Sequence, residues 1–197
     1  ESIIEEEDLD LQMIAAYKEG INALEKGDVY YAAKKFNEAE LLYPQSEWAA
    51  KAVLMASYGY YTQAYYKSAA GELNRFITKY PKDPNLDYAY YLLAMCHYES
   101  IVDEKKDLKP LLYAKDSFNL VIEKFPLTDF AIDSKYKLGL INDLLAAKEM
   151  YIARHYIKKE KWIAAINRLK VIVVDYDTTI YIEEALHRLV EIHYKLG

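Results

Sequence analysis

The chain has 197 residues, 53% of them hydrophobic and 28% charged, with a formal net charge of −6. That balance excludes a disordered polymer, and the scatter of Lys and Arg among acids excludes the basic footprint of a nucleic-acid binder. With 6 glycines and 5 prolines there are too few turn formers for an all-β protein, so the long periodic segments are read as helices.

The chain opens on Glu1 and an acidic run, Glu5 to Asp8, with no visible signal peptide. The first helix is predicted to close at Gly27, which suits a left-handed stop, and Asp28 is placed to cap the next helix. That next helix begins a pattern that recurs down the chain. Ala32, Ala69, Ala114 and Ala165 are each followed, four residues on, by Phe36, Leu73, Phe118 and Leu169. Seven residues on come Ala39, Phe76, Val121 and Ile172, and then the pairs Tyr43-Pro44, Tyr80-Pro81, Phe125-Pro126 and Tyr176-Asp177. Offsets of zero, four, seven and eleven trace one helix face, and a proline past the last of them ends the helix.

A second helix precedes each of these. Ser46, Thr128 and Thr179 stand where a hydroxyl would cap its first N–H groups, followed by Trp48, Phe130 and Tyr181. The longer linker Lys82 to Asn85 leads to an equivalent aromatic, Tyr88. The longest uncharged stretch, Ala52 to Tyr66, is interrupted by Ser57, Gly59, Thr62 and Gln63 and falls short of the ~20 apolar residues of a membrane span. Small residues at Gly20, Ser57 and Gly139 are expected to let the two helices of a hairpin approach closely. The lone Cys96 reads as a small buried apolar residue.

This alternation resembles the tetratricopeptide (TPR) family, whose unit is about 34 residues. It implies an all-α, right-handed superhelical solenoid of antiparallel hairpins, with about four and a half repeats. The third repeat carries a charged loop, Val102 to Lys109, with Pro110 starting its second helix. In the fourth, the unbroken pattern from Phe130 to about Lys158 predicts a first helix some two turns longer than usual. A fifth repeat begins at Thr179 without a second helix before Gly197. Solenoids close on a polar cap, so the expectation is a truncated end or one covered by a partner.

In a TPR stack the first helix of each pair lines the concave side. Projecting the repeat phase places Ile14, Tyr17, Ile21, Leu24, Lys51, Leu54, Tyr58, Tyr61, Tyr91, Ala94, Tyr98, Ile101, Asp133, Tyr136, Leu140 and Asp143 on that side. Tyr17, Tyr58, Tyr61, Tyr91, Tyr98 and Tyr136 form a candidate peptide groove, because tyrosine offers apolar area with a polar tip at low entropic cost. The competing reading makes these rings hairpin core. No catalytic site, metal or cofactor is expected. Glu184 and His187 have the Glu-x-x-His spacing of di-iron bundles, but the second such pair those sites need is absent. Phosphate loops, Cys-x-x-Cys pairs and nucleophile elbows are absent too.

The last third is more specific. Glu149-Met150-Tyr151-Ile152-Ala153-Arg154-His155-Tyr156, then Ala164-Ala165-Ile166-Asn167-Arg168, then Glu184-Ala185-Leu186-His187-Arg188-Leu189-Val190-Glu191 resembles the BamD (ComL/YfiO) family, TPR lipoproteins of the outer-membrane β-barrel assembly (BAM) machine. The resemblance implies a non-enzymatic scaffold at the periplasmic face of the outer membrane, anchored through an N-terminal lipidated cysteine that this chain does not contain. It implies docking of the C-terminal repeats, 101–197, on a POTRA domain of BamA, with Arg168 matching the family's contacting arginine beside Asn167. It implies that the N-terminal repeats, 1–100, receive unfolded β-barrel proteins, and that other BAM lipoproteins are companions. Asp177 in place of the terminal proline and Lys159-Glu160-Lys161 in a turn where relatives often carry Arg-Gly depart from the pattern. The alternative is another periplasmic TPR adaptor, one that coordinates cell-envelope synthesis.

Overall fold

The computed structural model describes residues 2–101 and 108–197, with side chains from residue 8 onward. Nine helices and no strand are found among the described residues: α1 (Ser2–Glu25), α2 (Val29–Leu42), α3 (Glu47–Thr62), α4 (Tyr66–Lys79), α5 (Leu86–Glu99), α6 (Lys109–Lys124), α7 (Asp129–Lys158), α8 (Trp162–Asp175) and α9 (Ile182–Leu196). Each helix packs chiefly on its neighbours in sequence, giving four hairpins and a ninth helix in a TPR-like solenoid. Most of the charged loop of the third repeat lies outside the described residues, but Pro110 does stand in the first turn of α6, where its missing N–H costs nothing.

The repeat offsets become a continuous seam. All twelve residues at the alanine, plus-four and plus-seven positions of α2, α4, α6 and α8 are at most 1% exposed. The small alanine lets a neighbouring helix come close, and the bulky group one turn later fills the space beside it. Burying Phe36, Phe76 and Phe118 contributes roughly 1.5–3 kcal/mol each relative to exposure. The helix ends follow the predicted chemistry. Gly27 has a φ of +80°, and Asp28 accepts from the Tyr31 amide at 3.1 Å. Ser46 accepts from Ala49 at 3.1 Å and Thr128 from Ala131 at 3.2 Å. Thr179 departs from this role: it is buried, its hydroxyl donates back to the Tyr176 carbonyl at 2.7 Å, and α9 starts only at Ile182. The Ile180 amide reaches Asp143 Oδ1 at 3.3 Å instead.

Gly20 marks a close approach, since a Cβ there would stand 2.8 Å from the Phe36 ring. Ser57 is fully buried, its hydroxyl donating to the Val53 carbonyl at 2.8 Å. Gly139 does not share this role, for a Cβ there would meet no atom of another helix within 4 Å. The reason is the length of α7. Its extra turns move the contact with α8 further along, to Ala146, Met150 and Ala153, which pack with Ala165, Leu169 and Ile172.

The junction between the second helices of the first two repeats is polar. Glu40, near the end of α2, is only 2% exposed, yet its carboxylate accepts from Lys79 Nζ at 2.7 Å, Tyr80 Oη at 2.8 Å and Arg75 Nη1. Arg75 in turn donates to Asn37 at 3.0 Å and Glu72 at 2.6 Å. Three of the partners of Glu40 and Asn37 therefore come from the C-terminal half of α4 and its cap. The residues at the Glu40 offset in the later repeats are Ile77, Ile122 and Val173, so only the first junction is built this way.

Candidate functional site

The first helices of the second, third and fourth hairpins, α3, α5 and α7, touch one another as well as their own partners and so form one wall. Aromatic rings run along it. Tyr88 of α5 lies 5.6 Å from Phe130 of α7, and Tyr91 stacks on the same ring at 5.0 Å. The Tyr91 hydroxyl donates to Asp133 Oδ2 at 2.7 Å. Burial first, and then that bond, push the hydroxyl above the ordinary phenol range. Burial also pushes Tyr88 up to about 12, with the phenols of Tyr58 and Tyr61 adding to the effect.

The six candidate groove tyrosines divide into two groups. Tyr17 is wedged edge-on against Phe36 at 5.4 Å and Trp48 at 5.1 Å. Tyr61 packs into two adjoining clusters and against Tyr66. Tyr91 is tied to α7 as above, and Tyr98 sits on Phe118 at 6.1 Å with Lys137 Nζ 5.1 Å above its ring. All four are half-buried; Tyr61, Tyr91 and Tyr98 pack within the wall, and Tyr17 joins α1 to α2 and to the start of α3. Tyr58 and Tyr136, at 41% and 66% exposed, project outward. Ala94, read as lining the same side, is fully buried between the helices.

At the other end, Arg168 and Asn167 occupy the middle of α8. Asn167 is exposed. Arg168 Nη1 reaches across the fourth hairpin to Glu149 of α7, at 3.1 and 3.4 Å from its two oxygens. The Arg168 side chain remains 43% exposed, whereas Glu149 is 16% exposed. Arg168 and Asn167 border a shallow depression of about 230 Å³, completed by Tyr156, Ala164 and Val171. Beyond it, Arg154 grips Glu184 of α9, holding that carboxyl below its usual range, and Arg188 bonds Glu191 at 2.9 Å. Glu184 is thus committed to an arginine. Among the described residues no group of three or more His, Cys, Asp or Glu is placed to hold a metal, and no helix is long and apolar enough to cross a membrane.

The family model described as YfiO, outer membrane lipoprotein, matches residues 9–197. The chain belongs to this family. Among its YfiO-family relatives, the outer membrane protein assembly factor BamD of Rickettsia prowazekii is 43% identical over 92% of this chain and 72% of its own length. The factor of the same name from Caulobacter vibrioides is 38% identical over 92% of this chain and 59% of its own length. That from Neisseria gonorrhoeae is 30% identical over 91% and 70%. The chain therefore spans about three fifths to three quarters of these YfiO-family relatives.

Two features of this YfiO-family surface escape the repeat pattern. Lys51 lies over the Trp48 ring at 5.1 Å, joining a lysine and an aromatic that the pattern treats separately. Glu149 opens the segment that resembles the family, but nothing in its spacing says that it meets Arg168. That contact depends on how far the extended α7 runs beside α8.

Proposed function

We propose that this chain is a non-enzymatic scaffold of outer-membrane β-barrel assembly, working by reversible binding at the periplasmic face of the outer membrane. In this reading a lipidated cysteine upstream holds it there, residues 101–197 dock on a POTRA domain of BamA through Arg168 and Asn167, and residues 1–100 receive unfolded β-barrel proteins, alongside other BAM lipoproteins. The names of the relatives at 43% and 38% identity support the assembly role. The observation that carries the docking assignment is a guanidinium left 43% exposed at the edge of a depression, a group suited to gripping a carboxylate on a partner. The aromatic wall supports the receiving role, with Tyr58 and Tyr136 outermost and Tyr17, Tyr61, Tyr91 and Tyr98 beneath.

The test is Arg168→Glu, read by calorimetric titration against the periplasmic POTRA region of BamA. Reversing a charge at the centre of a polar contact is expected to weaken binding at least about tenfold, equivalent to about 1.4 kcal/mol. The fold should survive, because the Arg168 end of the pair is 43% exposed and the new carboxylate can turn from Glu149 into water; Arg168→Ala, which adds no like charge, should shift the thermal midpoint less still. Unchanged affinity would remove Arg168 from the interface.

A further inference from the structure

We infer that Glu149 is the positioning residue for Arg168, an inference that rests on the docking reading above. Arginine has many rotamers, and an exposed one must be immobilised before it can grip a partner. Glu149 does this in advance. Its carboxylate, 16% exposed and carried by the long helix α7, directs both oxygens at the single nitrogen Nη1, at 3.1 and 3.4 Å. Among the described residues Arg168 makes no other hydrogen bond or ion pair. The guanidinium is therefore held by one corner, and its Nε–Nη2 edge, the geometry that matches a carboxylate bidentately, is kept for another molecule. Arg168 shares a depression of about 230 Å³ with Tyr156, Ala164, Asn167 and Val171, enough for the end of an acidic side chain. Ala164 keeps the wall low, and Asn167 can donate a further hydrogen bond to the same group.

Glu149 also brings a negative charge close to where an anionic partner group would arrive, so aiming and repulsion act in opposite directions. Two substitutions separate them. Glu149→Gln retains an oxygen that accepts from Nη1 but removes the charge. Glu149→Ala removes both. If Glu149 aims the arginine, E149A loses about fivefold in affinity for the periplasmic POTRA region of BamA, the entropic cost of one unrestrained side chain, while E149Q binds at least as well as the native chain. Thermal melts of the full chain accompany each titration. Should E149A melt early, Glu149→Asp, which shortens the reach by one methylene, must show the same loss at a native midpoint. Native or tighter affinity in E149A overturns the inference, the latter by making Glu149 a competitor. Arg168→Ala in parallel identifies the other failure: if it binds like the native chain, the docking reading falls, and the inference with it.

Discussion

Replacing Glu40 probes the one polar junction found, among the described residues, between the second helices of successive repeats. Glu40→Ala deletes a buried acceptor for Lys79, Tyr80 and Arg75. Breaking a fully buried ion pair from one side costs about 3–5 kcal/mol. Here the cations left behind are 37% and 44% exposed and can regain water, which moves the expectation to about 2–3 kcal/mol. In a chain of this size that lowers the thermal midpoint by roughly 4–12 °C. Because each repeat leans only on its neighbours, the loss should appear first as faster amide exchange in α1 and α2. Acid dependence gives a second handle. Burial raises the Glu40 pKa, but the bonds from Lys79, Arg75 and Tyr80 outweigh it and leave the carboxyl below its usual range. A depressed carboxylate contributes stability above its unfolded pKa and loses it as pH falls through the folded value. Denaturant titrations of the native chain from neutral pH to about 3 should therefore fall more steeply than those of Glu40→Gln. The double change Glu40→Ile with Arg75→Leu copies the residues at the same offsets in the following repeats, Ile77 and Leu120, and should recover much of the loss. Superimposable acid limbs for the native chain and E40Q, with equal midpoints, would refute the reasoning.

Tyr58→Ala combined with Tyr61→Ala should reduce binding of a C-terminal, aromatic-ended β-barrel peptide by about tenfold, each ring contributing about 0.5–1.5 kcal/mol; intrinsic fluorescence or anisotropy titration measures it, and no change would exclude this wall as the groove. Burial pushes the Cys96 thiol up to about 12, so it should resist a thiol reagent at pH 8 in the native chain and react promptly once denatured; rapid native labelling would show that the seam between α3 and α5 opens.

The parts of this fold that repeat were legible because they follow from the period of a helix. Ala32, Phe36 and Ala39 share a face by spacing alone, and every later copy multiplies the signal. Gly139 stands as far into α7 as Ser57 does into α3, but the contact with α8 lies in the added turns, so equal spacing does not give equal packing. Thr179 carries the right side chain for a cap, but the Ile182 amide three residues on meets its backbone carbonyl at 3.2 Å and not its hydroxyl, while Asp143 of α7 takes the Ile180 amide, a long-range contact that local spacing does not contain. Phase placed the tyrosines on the inner side without saying how far the next helix covers them, so Tyr58 and Tyr91 looked alike. Glu40 was the least visible: a glutamate in a helix is usually solvated, and its three partners lie 35, 39 and 40 residues away.

The 30-residue span of α7 has a mechanical consequence. Asp133, which receives the Tyr91 hydroxyl, and Glu149, which holds Arg168, stand on one unbroken helix about 24 Å apart along its axis. No proline interrupts the rod between them. Pivoting α7 by about 5° at the aromatic wall would carry the Glu149 end through about 2 Å, comparable to the difference between a made and a broken hydrogen bond. A crossbar of this length makes the aromatic wall at α5 and the Arg168 site on α8 answer to the same tilt, where a pair of ordinary hairpins would let each settle alone.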